Sequence, residues 1–450
     1  MLSVNPADGA VLSVLYGTDA MRAVIGERAF IGQMLAVEAA LARAQARLGI
    51  IPEEAAAAIA EAASIEKLDL PALARATRNT GYPVVGLVKQ LSLLAGTEAG
   101  RWTHWGATTQ DIMDTAIVLQ LREAFALLGT DLDRLNQALA RQAREHRGLV
   151  MAGRTHLQHA LPVTFGYKCA IWLSPLITMR ERLDQMLPRL LKVQFGGAAG
   201  TLASLGGRGL EVAEALAEEL GLALPDAPWH VARDTMAEAV CFLGLLTGAL
   251  SKLATDVMLL MQTEVAEVFE PHAPGRGGSS TMPQKRNPIA CEYVLAQARG
   301  VHALVPQMLG AMAVDQERGT GPWQAEPLAL PQAFTLAHGA LAQAVTIAEG
   351  LTVDGARMRR NLDASGGLIM AEAVMMALAE LIGRGTAHDA VHHACDVALA
   401  ESIPLAEALR RDGCISAALD DDAIARLTEP ANYLGATDAF IDRVLQRLDP

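Results

Sequence analysis

Residues 275–288 combine the residue types that bind and polarise a carboxylate. Three glycines between 275 and 278 make the backbone easy to bend, and two serines and a threonine follow with their hydroxyl groups. Lys285 and Arg286 then bring two positive charges, and Asn287-Pro288 suits a helix start, with Asn as N-cap and Pro at the first helical position. A loop that ends in this way at a helix N-terminus is a natural carboxylate site. The alternative is an exposed connector between two helices, which the composition fits about as well.

Three other stretches are polar where their surroundings are apolar, at residues 104–111, 153–162 and 316–326. Each follows or precedes a long predicted helix, so we expect each of them near one end of a helical bundle. Among them they supply His104, Thr108, Thr109, Gln110, His156, His159, Glu317 and Arg318. Any one of these histidines, taken alone, is more often a structural group than a catalyst.

These residues could support the removal of a proton α to a carboxylate. The carbanion formed is an aci-carboxylate dianion, which needs N–H donors and cations around its oxygens and an acid and a base on opposite faces. Lys285, Asn287 and the loop amides can supply the first requirement. A loop serine, His156 or His104 can supply the second. We expect no metal and no cofactor.

Composition and charge argue against several other classes of protein. The net charge of −13 disfavours nucleic-acid binding, and it means that an anion site must concentrate its cations locally. Five widely spaced cysteines without a C-x-x-C motif indicate a reduced cytosolic protein. No stretch reaches the roughly 18 apolar residues of a membrane span, so we expect a soluble, cytoplasmic chain with no membrane partner. The sequence also lacks a Walker-type loop and a dinucleotide-binding glycine pattern.

The hydrophobic pattern predicts an all-α protein. Hydrophobic residues make up 51% of the chain and aromatic residues only 4%, with abundant Ala and Leu. Long helices are expected over residues 111–146, 161–191, 229–269, 288–312 and 330–351. Their apolar residues cover much of the helix circumference, and one chain does not readily bury five such helices, so we predict a homo-oligomer.

Shorter predicted helices lie on both sides of the five long ones. This pattern divides the chain into an N-terminal helical domain (residues 1–110), a central helix bundle with a mobile serine loop (111–360) and a small C-terminal helical domain (361–450). The polar stretches then fall at the ends of the central bundle, where several helices can bring them together.

The loop sequence resembles that of a known family. Residues 278–287 reproduce in full the Gly-Ser-Ser-x-Met-Pro-x-Lys-x-Asn signature of the fumarase/aspartase superfamily. The other two signatures of that superfamily are matched by Ala107-Thr108-Thr109-Gln110-Asp111 and by Thr155-His156-Leu157-Gln158, in order and at plausible spacing. The resemblance covers essentially the whole chain.

This resemblance implies a homotetramer whose five-helix bundles form a twenty-helix core, with each active site assembled from three subunits. The superfamily's catalytic base, a serine in the mobile loop, falls on Ser279. A histidine that many members pair with a glutamate falls on His156, with Glu317 as the candidate partner, and His104 is the other candidate catalytic histidine. Positions expected to bind substrate are Thr108, Thr109, Gln110, Gln158, Ser280, Met282, Lys285, Asn287 and Arg318.

Among the branches of the superfamily, the chain is most similar to the bacterial 3-carboxy-cis,cis-muconate cycloisomerases. Those enzymes close a tricarboxylate diene to a lactone, as one carboxylate adds across a double bond and a proton is delivered α to another. The alternative is a C–N lyase or an epimerase of an N-substituted aspartate, such as adenylosuccinate, because His156 retains the lyase-type histidine and Gln284 replaces a common histidine. An inactive helical scaffold is a third reading, although none of the expected polar positions is missing.

Overall fold

The computed structural model describes residues 5–271, 277–278, 282 and 284–448, and these residues are mostly helical. The first part of the chain contains α1 (Asp19–Ile25), α2 (Glu27–Arg47), α3 (Glu53–Ala62), α4 (Leu70–Thr80), α5 (Pro83–Ala95), α6 (Thr97–Gly100) and α7 (Thr109–Glu145). An antiparallel hairpin follows, made of β1 (Val150–Thr155) and β2 (Gln158–Thr164). The middle contains α8 (Phe165–Leu190), α9 (Gly209–Leu220), α10 (Asp234–Met261), β3 (Val268–Phe269), α11 (Ile289–Gly310), α12 (Glu326–Gly350) and β4 (Thr352–Val353).

The last part of the chain consists of short helices, as the sequence predicts. They are α13 (Gly355–Asp363), α14 (Ala371–Ile382), α15 (Arg384–Glu401), α16 (Leu405–Arg411), α17 (Gly413–Ala418), α18 (Asp421–Leu427) and α19 (Thr437–Leu445). Short 3₁₀ turns lie at Pro6–Asp8, Ser13–Leu15, Ile65–Lys67, Ala203–Arg208, Trp323–Ala325, Leu368–Met370 and Pro430–Asn432. The Asp420 side chain accepts from the backbone N–H of Ala423 and caps α18.

Five long helices lie where the hydrophobic pattern predicts them. They are α7, α8, α10, α11 and α12, with 37, 26, 28, 22 and 25 residues. The predicted boundaries were wrong at two places: α8 begins after β2, and α10 ends before β3. At both places an extended segment occupies residues that the sequence pattern had assigned to a helix.

Contacts along the chain divide it into two compact units. The first consists of Met1–Leu132, Met179–Leu250 and Tyr293–Ala342, and the second of Asp133–Thr178, Ser251–Glu292 and Gln343–Pro450. The boundaries between the units fall inside the five long helices. The predicted three-domain division remains a prediction.

Aromatic packing holds the long helices together within the first unit. The ring centroid of Phe125 on α7 lies 5.8 Å from that of Phe242 on α10 and 4.9 Å from that of Phe334 on α12. All three side chains are buried, and both contacts are edge-to-face, the arrangement that aromatic pairs favour. Burial of these rings therefore fixes the spacing of three helices.

The second unit contains the β-hairpin and most of the short C-terminal helices. Strand β1 packs against α13, and the short β3 pairs with β4. Helices α14 to α18 enclose an apolar cluster centred on Val374, Leu378 and Leu409. This hairpin was not predicted: residues 153–162 had been expected to be only a polar interruption.

By length and composition alone, helix α10 is long and apolar enough to cross a membrane. The sequence had indicated no stretch of this kind. However, 56% of its most apolar window is buried among other parts of the chain. Such burial is typical of the core helix of a soluble protein.

Candidate functional site

Asp111, in the first turn of α7, organises the loop that faces this helix end. Its carboxylate accepts from the backbone N–H groups of Gly196 and Gly197, each at 2.9 Å, and from that of Thr108 at 3.0 Å. Nε2 of His230 lies 2.7 Å from Oδ1 of Asp111. A Cβ at Gly196 would lie 3.0 Å from the His230 ring, so the loop can approach this closely only with glycine there. The buried carboxylate thereby fixes the start of α7 against residues 194–200.

Arg318 reaches the same end of α7 and is held there by neutral acceptors. Its Nη1 donates to Oγ1 of Thr108 at 3.0 Å, and its Nη2 donates to the carbonyl of Ala198 at 3.1 Å and that of Gly197 at 3.4 Å. No carboxylate of the described residues pairs with the guanidinium within 4.0 Å. A cation without a counter-ion in an acidic protein attracts an anionic ligand.

His104 lies in the turn before α7 and contacts a buried carboxylate. Its Nδ1 lies 2.6 Å from Oε1 of Glu38 on α2. Burial lowers the pKa of His104, but Glu38, with help from Asp111, raises it by more, so that the pKa lies above the ordinary value. Sequence reasoning selected His104 but missed Glu38, which sits in an alanine-rich apolar helix and gives no local signal of a polar role.

Two predicted substrate-binding residues, Thr109 and Gln110, lie at the start of α7, and the predicted catalytic residue Glu317 is exposed. Thr109 begins α7 and is partly buried. Gln110 is turned inward: its Nε2 donates to Oδ2 of Asp114 at 3.0 Å and to the carbonyl of His230 at 2.8 Å. Its Oε1 has no partner among the described residues. Their proposed contacts with substrate remain predictions.

A buried ionic triad of Arg233, Asp114 and Glu326 lies next to Gln110 in the first unit. The sequence reasoning missed it. Arg233 is 1% exposed, and its guanidinium contacts both carboxylate oxygens of Asp114 and both of Glu326 at 2.5–3.0 Å. Nε1 of Trp323 donates to Oδ1 of Asp114 at 3.1 Å. Burial raises the pKa of Glu326 although Arg233 opposes the shift. The triad ties the starts of α10 and α12 to α7, since its members lie on or beside those three helices.

His156 and Leu157 form the two-residue turn of the hairpin in the second unit. Thr155 pairs with Gln158 across it, and both turn residues have positive φ, 50° for His156 and 63° for Leu157. Turns of this kind favour Asn-Gly, because other residues are strained in the left-handed region. His156, Leu157 and Gln158 are exposed. His156 and Glu317 belong to different units, and their pairing remains a prediction.

Arg154 lies on β1 close to the turn of this hairpin, opposite His159 on β2. Its Nη1 and Nη2 donate to the two carboxylate oxygens of Glu267 at 2.9 and 2.6 Å. Nδ2 of Asn361, on α13, donates to the same carboxylate at 2.8 Å. Arg154 is therefore the ion-pair partner of Glu267. His159 lies close by, and burial and Arg154 together lower its pKa.

The signature loop contains most of the remaining predicted residues. Ser279 and Ser280, the candidate base and its neighbour, lie outside the described residues. Met282 and Lys285 are exposed, and the N–H of Lys285 donates to the carbonyl of Met282 at 3.1 Å. The N–H of Asn287 donates to the carbonyl of Gly277, also at 3.1 Å.

The N-terminus of α11 does not have the free amides that the sequence suggested for a carboxylate ligand. The N–H groups of Ala290 and Cys291 donate to the two carboxylate oxygens of Glu270 at 3.1 and 2.8 Å. Glu270 thus caps the helix in place of Asn287, because it brings the negative charge that a helix N-terminus favours. Binding of a substrate carboxylate at this helix end remains a prediction. The guanidinium of Arg286 stacks on the ring of Phe269. It is therefore not a free cation at this helix end.

A large cleft in the first unit, of about 960 Å³, is separate from these clusters. It is mostly apolar and is lined by residues such as Phe30, Met34, Leu73 and Ile117. None of the predicted site residues that the structure describes lines it. The candidate site therefore rests on the polar clusters described above.

Comparison with known proteins covers nearly the whole chain. The model of a family described as lyase matches residues 15–302, and that of the adenylosuccinate lyase C-terminus matches residues 367–444. The chain is 49% identical to a 3-carboxy-cis,cis-muconate cycloisomerase of Bradyrhizobium diazoefficiens, over 99% of this chain and 100% of that protein. It is 50% identical to the Pseudomonas aeruginosa protein of the same name, over 94% and 93%. The crystal structure of the 3-carboxy-cis,cis-muconate lactonizing enzyme of Pseudomonas putida superposes with a TM-score of 0.94 at 44% identity, covering 98% of this chain and 99% of that one.

Relatives with other activities match over similar lengths. A nitrosuccinate lyase of Streptomyces davaonensis is 43% identical over 97% of this chain and 94% of its own length. A trans-aconitate decarboxylase 1 of Mycosarcoma maydis is 44% identical over 97% of this chain and 88% of its own length. The shared fold therefore accommodates several reactions of small carboxylic acids.

Proposed function

The chain belongs to the lyase family of the fumarase/aspartase superfamily and is an enzyme. From that premise we propose that it cycloisomerises 3-carboxy-cis,cis-muconate or a close analogue to a lactone. The observation that carries this proposal is Arg318, whose guanidinium has only neutral acceptors around it among the described residues. A tricarboxylate needs more cationic contacts than a dicarboxylate, and Arg318 supplies a cationic contact in addition to that of Lys285. The relatives named as cycloisomerases support the same reading.

In the proposed reaction, one carboxylate oxygen of the substrate adds to an alkene carbon and closes the lactone ring. The electrons of the double bond move to form an aci-carboxylate dianion at a neighbouring carboxylate. Lys285 and Asn287 stabilise that dianion, with Thr108, Thr109, Gln110, Gln158, Ser280, Met282 and Arg318 as further substrate contacts. Ser279 then delivers a proton to the carbon α to that carboxylate. His156, with Glu317, or His104 assists the proton transfer.

We propose the assembly that the superfamily implies, a homotetramer with a twenty-helix core and active sites shared between subunits. Apolar side chains on the long helices support it, since Ile171 on α8, Leu245 on α10 and Leu309 on α11 are exposed in the single chain. We also propose a cytoplasmic enzyme, with no nucleic-acid or membrane partner, that serves the degradation of aromatic compounds.

The first experiment is an ultraviolet assay of the purified protein with 3-carboxy-cis,cis-muconate. We expect rapid loss of the diene absorbance and a lactone in the NMR spectrum. No loss of absorbance at micromolar enzyme would refute the cycloisomerase proposal. Ser279→Ala should lower kcat at least about 100-fold, because it removes the proton donor, and should leave the oligomer intact on size-exclusion chromatography. Full activity of that variant would refute the assignment of the base.

The second candidate function is a C–N lyase or epimerase of an N-substituted aspartate. His156 favours it, because this exposed turn residue retains the histidine that the lyases use, and the nitrosuccinate lyase relative breaks a C–N bond, as its name implies. NMR in D₂O with adenylosuccinate or an N-substituted aspartate distinguishes the two reactions. Release of fumarate indicates a lyase, and uptake of deuterium at the α-carbon without release indicates an epimerase.

A further inference from the structure

Glu38 is a buried carboxylate with one side-chain partner. Its side chain is 0% exposed, and it sits in the middle of α2 among buried apolar residues. Oε1 lies 2.6 Å from Nδ1 of His104, whereas Oε2 has no hydrogen-bond partner among the described residues. A buried carboxylate without full pairing is destabilising. Its contact with His104 is the interaction that offsets part of this cost, which points to a role beyond packing.

The backbone around His104 is arranged for this contact. His104 has a φ of 62°, in the left-handed region, which is unfavourable for a residue with a side chain. Nε2 of Gln45 donates to the carbonyl of the next residue, Trp105, at 2.7 Å and so holds the turn. The His104 side chain remains 21% exposed. With Nδ1 turned to Glu38, Nε2 is the ring nitrogen left for a ligand.

The charged groups that face His104 are both carboxylates, Glu38 from α2 and Asp111 from α7. Asp111 is already bonded to three backbone N–H groups and to His230. Glu38 has no such competing partners. It is therefore the group that stabilises positive charge on the His104 ring.

We propose that Glu38 is a positioning residue that holds His104 as a cationic anchor for a substrate carboxylate, at the same end of α7 as Arg318. The inference rests on the proposed function and deepens it, because it assigns two cations of this cluster to two carboxylates of a polycarboxylate. His104 then binds the substrate carboxylate through Nε2, so that of the two histidines proposed above it is His156 that assists the proton transfer.

The first test measures the titration of His104 without any substrate. Glu38→Gln keeps the shape of the side chain and removes its charge. Hydrogen–deuterium exchange at the imidazole C2 position, read by mass spectrometry, reports the pKa of each histidine. We expect His104 to titrate about 1–2 pH units lower in Glu38→Gln. The matched control is Asp396→Asn, which removes a carboxylate 3.2 Å from the exposed His392 and should leave His104 unchanged. An unshifted His104 in Glu38→Gln would overturn the proposal.

The second test measures binding of tricarballylate, a stable tricarboxylate, by calorimetry at pH 5.5 and at the pH midway between the two His104 pKa values that the first test gives for the parent chain and Glu38→Gln. We expect Glu38→Gln to bind several-fold more weakly at the higher pH, where the parent histidine is mostly charged and the variant histidine is mostly neutral, and to recover most of this loss at pH 5.5. A deficit of equal size at both pH values would indicate a purely structural role and overturn the proposal, as would a parent chain that binds no tricarballylate. Because no turnover is measured, an inactive muconate assay refutes the proposed function without deciding this test.

A second variant keeps the proposal testable if Glu38→Gln does not fold. His104→Asn suits the site because asparagine tolerates the left-handed conformation. This variant should bind tricarballylate about tenfold more weakly than the parent chain at pH 5.5, where the parent histidine is charged. Unchanged affinity at pH 5.5 would exclude His104 as an anchor.

Discussion

Replacing Arg233 with methionine should destabilise the protein strongly. The guanidinium is 1% exposed and contacts all four carboxylate oxygens of Asp114 and Glu326. Methionine fills much of the same volume, but it leaves two carboxylates buried without a cation. Removal of one partner from a buried ionic group typically costs about 3–5 kcal/mol. We therefore expect Arg233→Met to lower the free energy of unfolding by about that amount at pH 8.

The loss should become smaller as the pH falls. Burial raises the pKa of Glu326, Arg233 opposes that shift, and Asp114 adds to it. Without Arg233, the pKa of Glu326 in the folded state must rise further above its unfolded value. A group with a raised folded-state pKa stabilises the fold below its unfolded pKa, and this stability is lost as the pH rises through the folded pKa. The difference between Arg233→Met and the parent chain should therefore be larger at pH 8 than at pH 5.

Urea unfolding at one fixed protein concentration, followed by circular dichroism, measures this difference. The matched control is Arg189→Met, which removes an exposed arginine paired with Glu238 and should change stability far less. A cost of Arg233→Met below about 1 kcal/mol at pH 8, or a cost that grows at pH 5, would refute the reasoning.

Three other predictions concern the turn, the helix cap and pH. Leu157→Gly should raise the free energy of unfolding by about 0.5–1 kcal/mol, because glycine relieves the backbone strain at a residue that is 73% exposed. A lower melting temperature of this variant would contradict the prediction and would indicate that another subunit buries Leu157. Glu270→Ala should lower the free energy of unfolding by about 1–2 kcal/mol through loss of the α11 cap, and an unchanged midpoint of urea unfolding would contradict this. His104 should add stability below about pH 6.5 that is lost as the pH rises through its higher folded pKa, and parallel stability curves for the parent chain and Glu38→Gln would contradict this.

Much of the fold could be predicted from the sequence because it depends on local periodicity. The long helices α7, α10, α11 and α12 repeat apolar residues over many turns, so their existence follows from the pattern. The β-hairpin was missed because its turn is His156-Leu157, which lacks the glycine or asparagine that usually marks such a turn. A strained turn gives no signal in the propensities of its residues.

The site was predictable only where a residue belongs to a local motif. Thr108 and Arg318 stand in polar stretches and were selected for that reason, and the structure brings their side chains to 3.0 Å. Glu38 stands alone among apolar residues and Arg233 lies outside the selected polar stretches, and their roles depend on partners 66 and 93 or more residues away in the sequence. A single sequence does not encode such pairings in its spacing. The Glu270 cap was missed for the same reason.

Glu270 has a consequence for substitutions in the segment that precedes α11. Its carboxylate caps α11, and its carbonyl accepts from Nη2 of Arg286 at 3.2 Å, so one residue closes both sides of the segment between them. The start of α11 is thereby set by a residue that precedes the segment and not by the segment itself. A substitution between these two residues therefore leaves the carboxylate cap of the following helix in place.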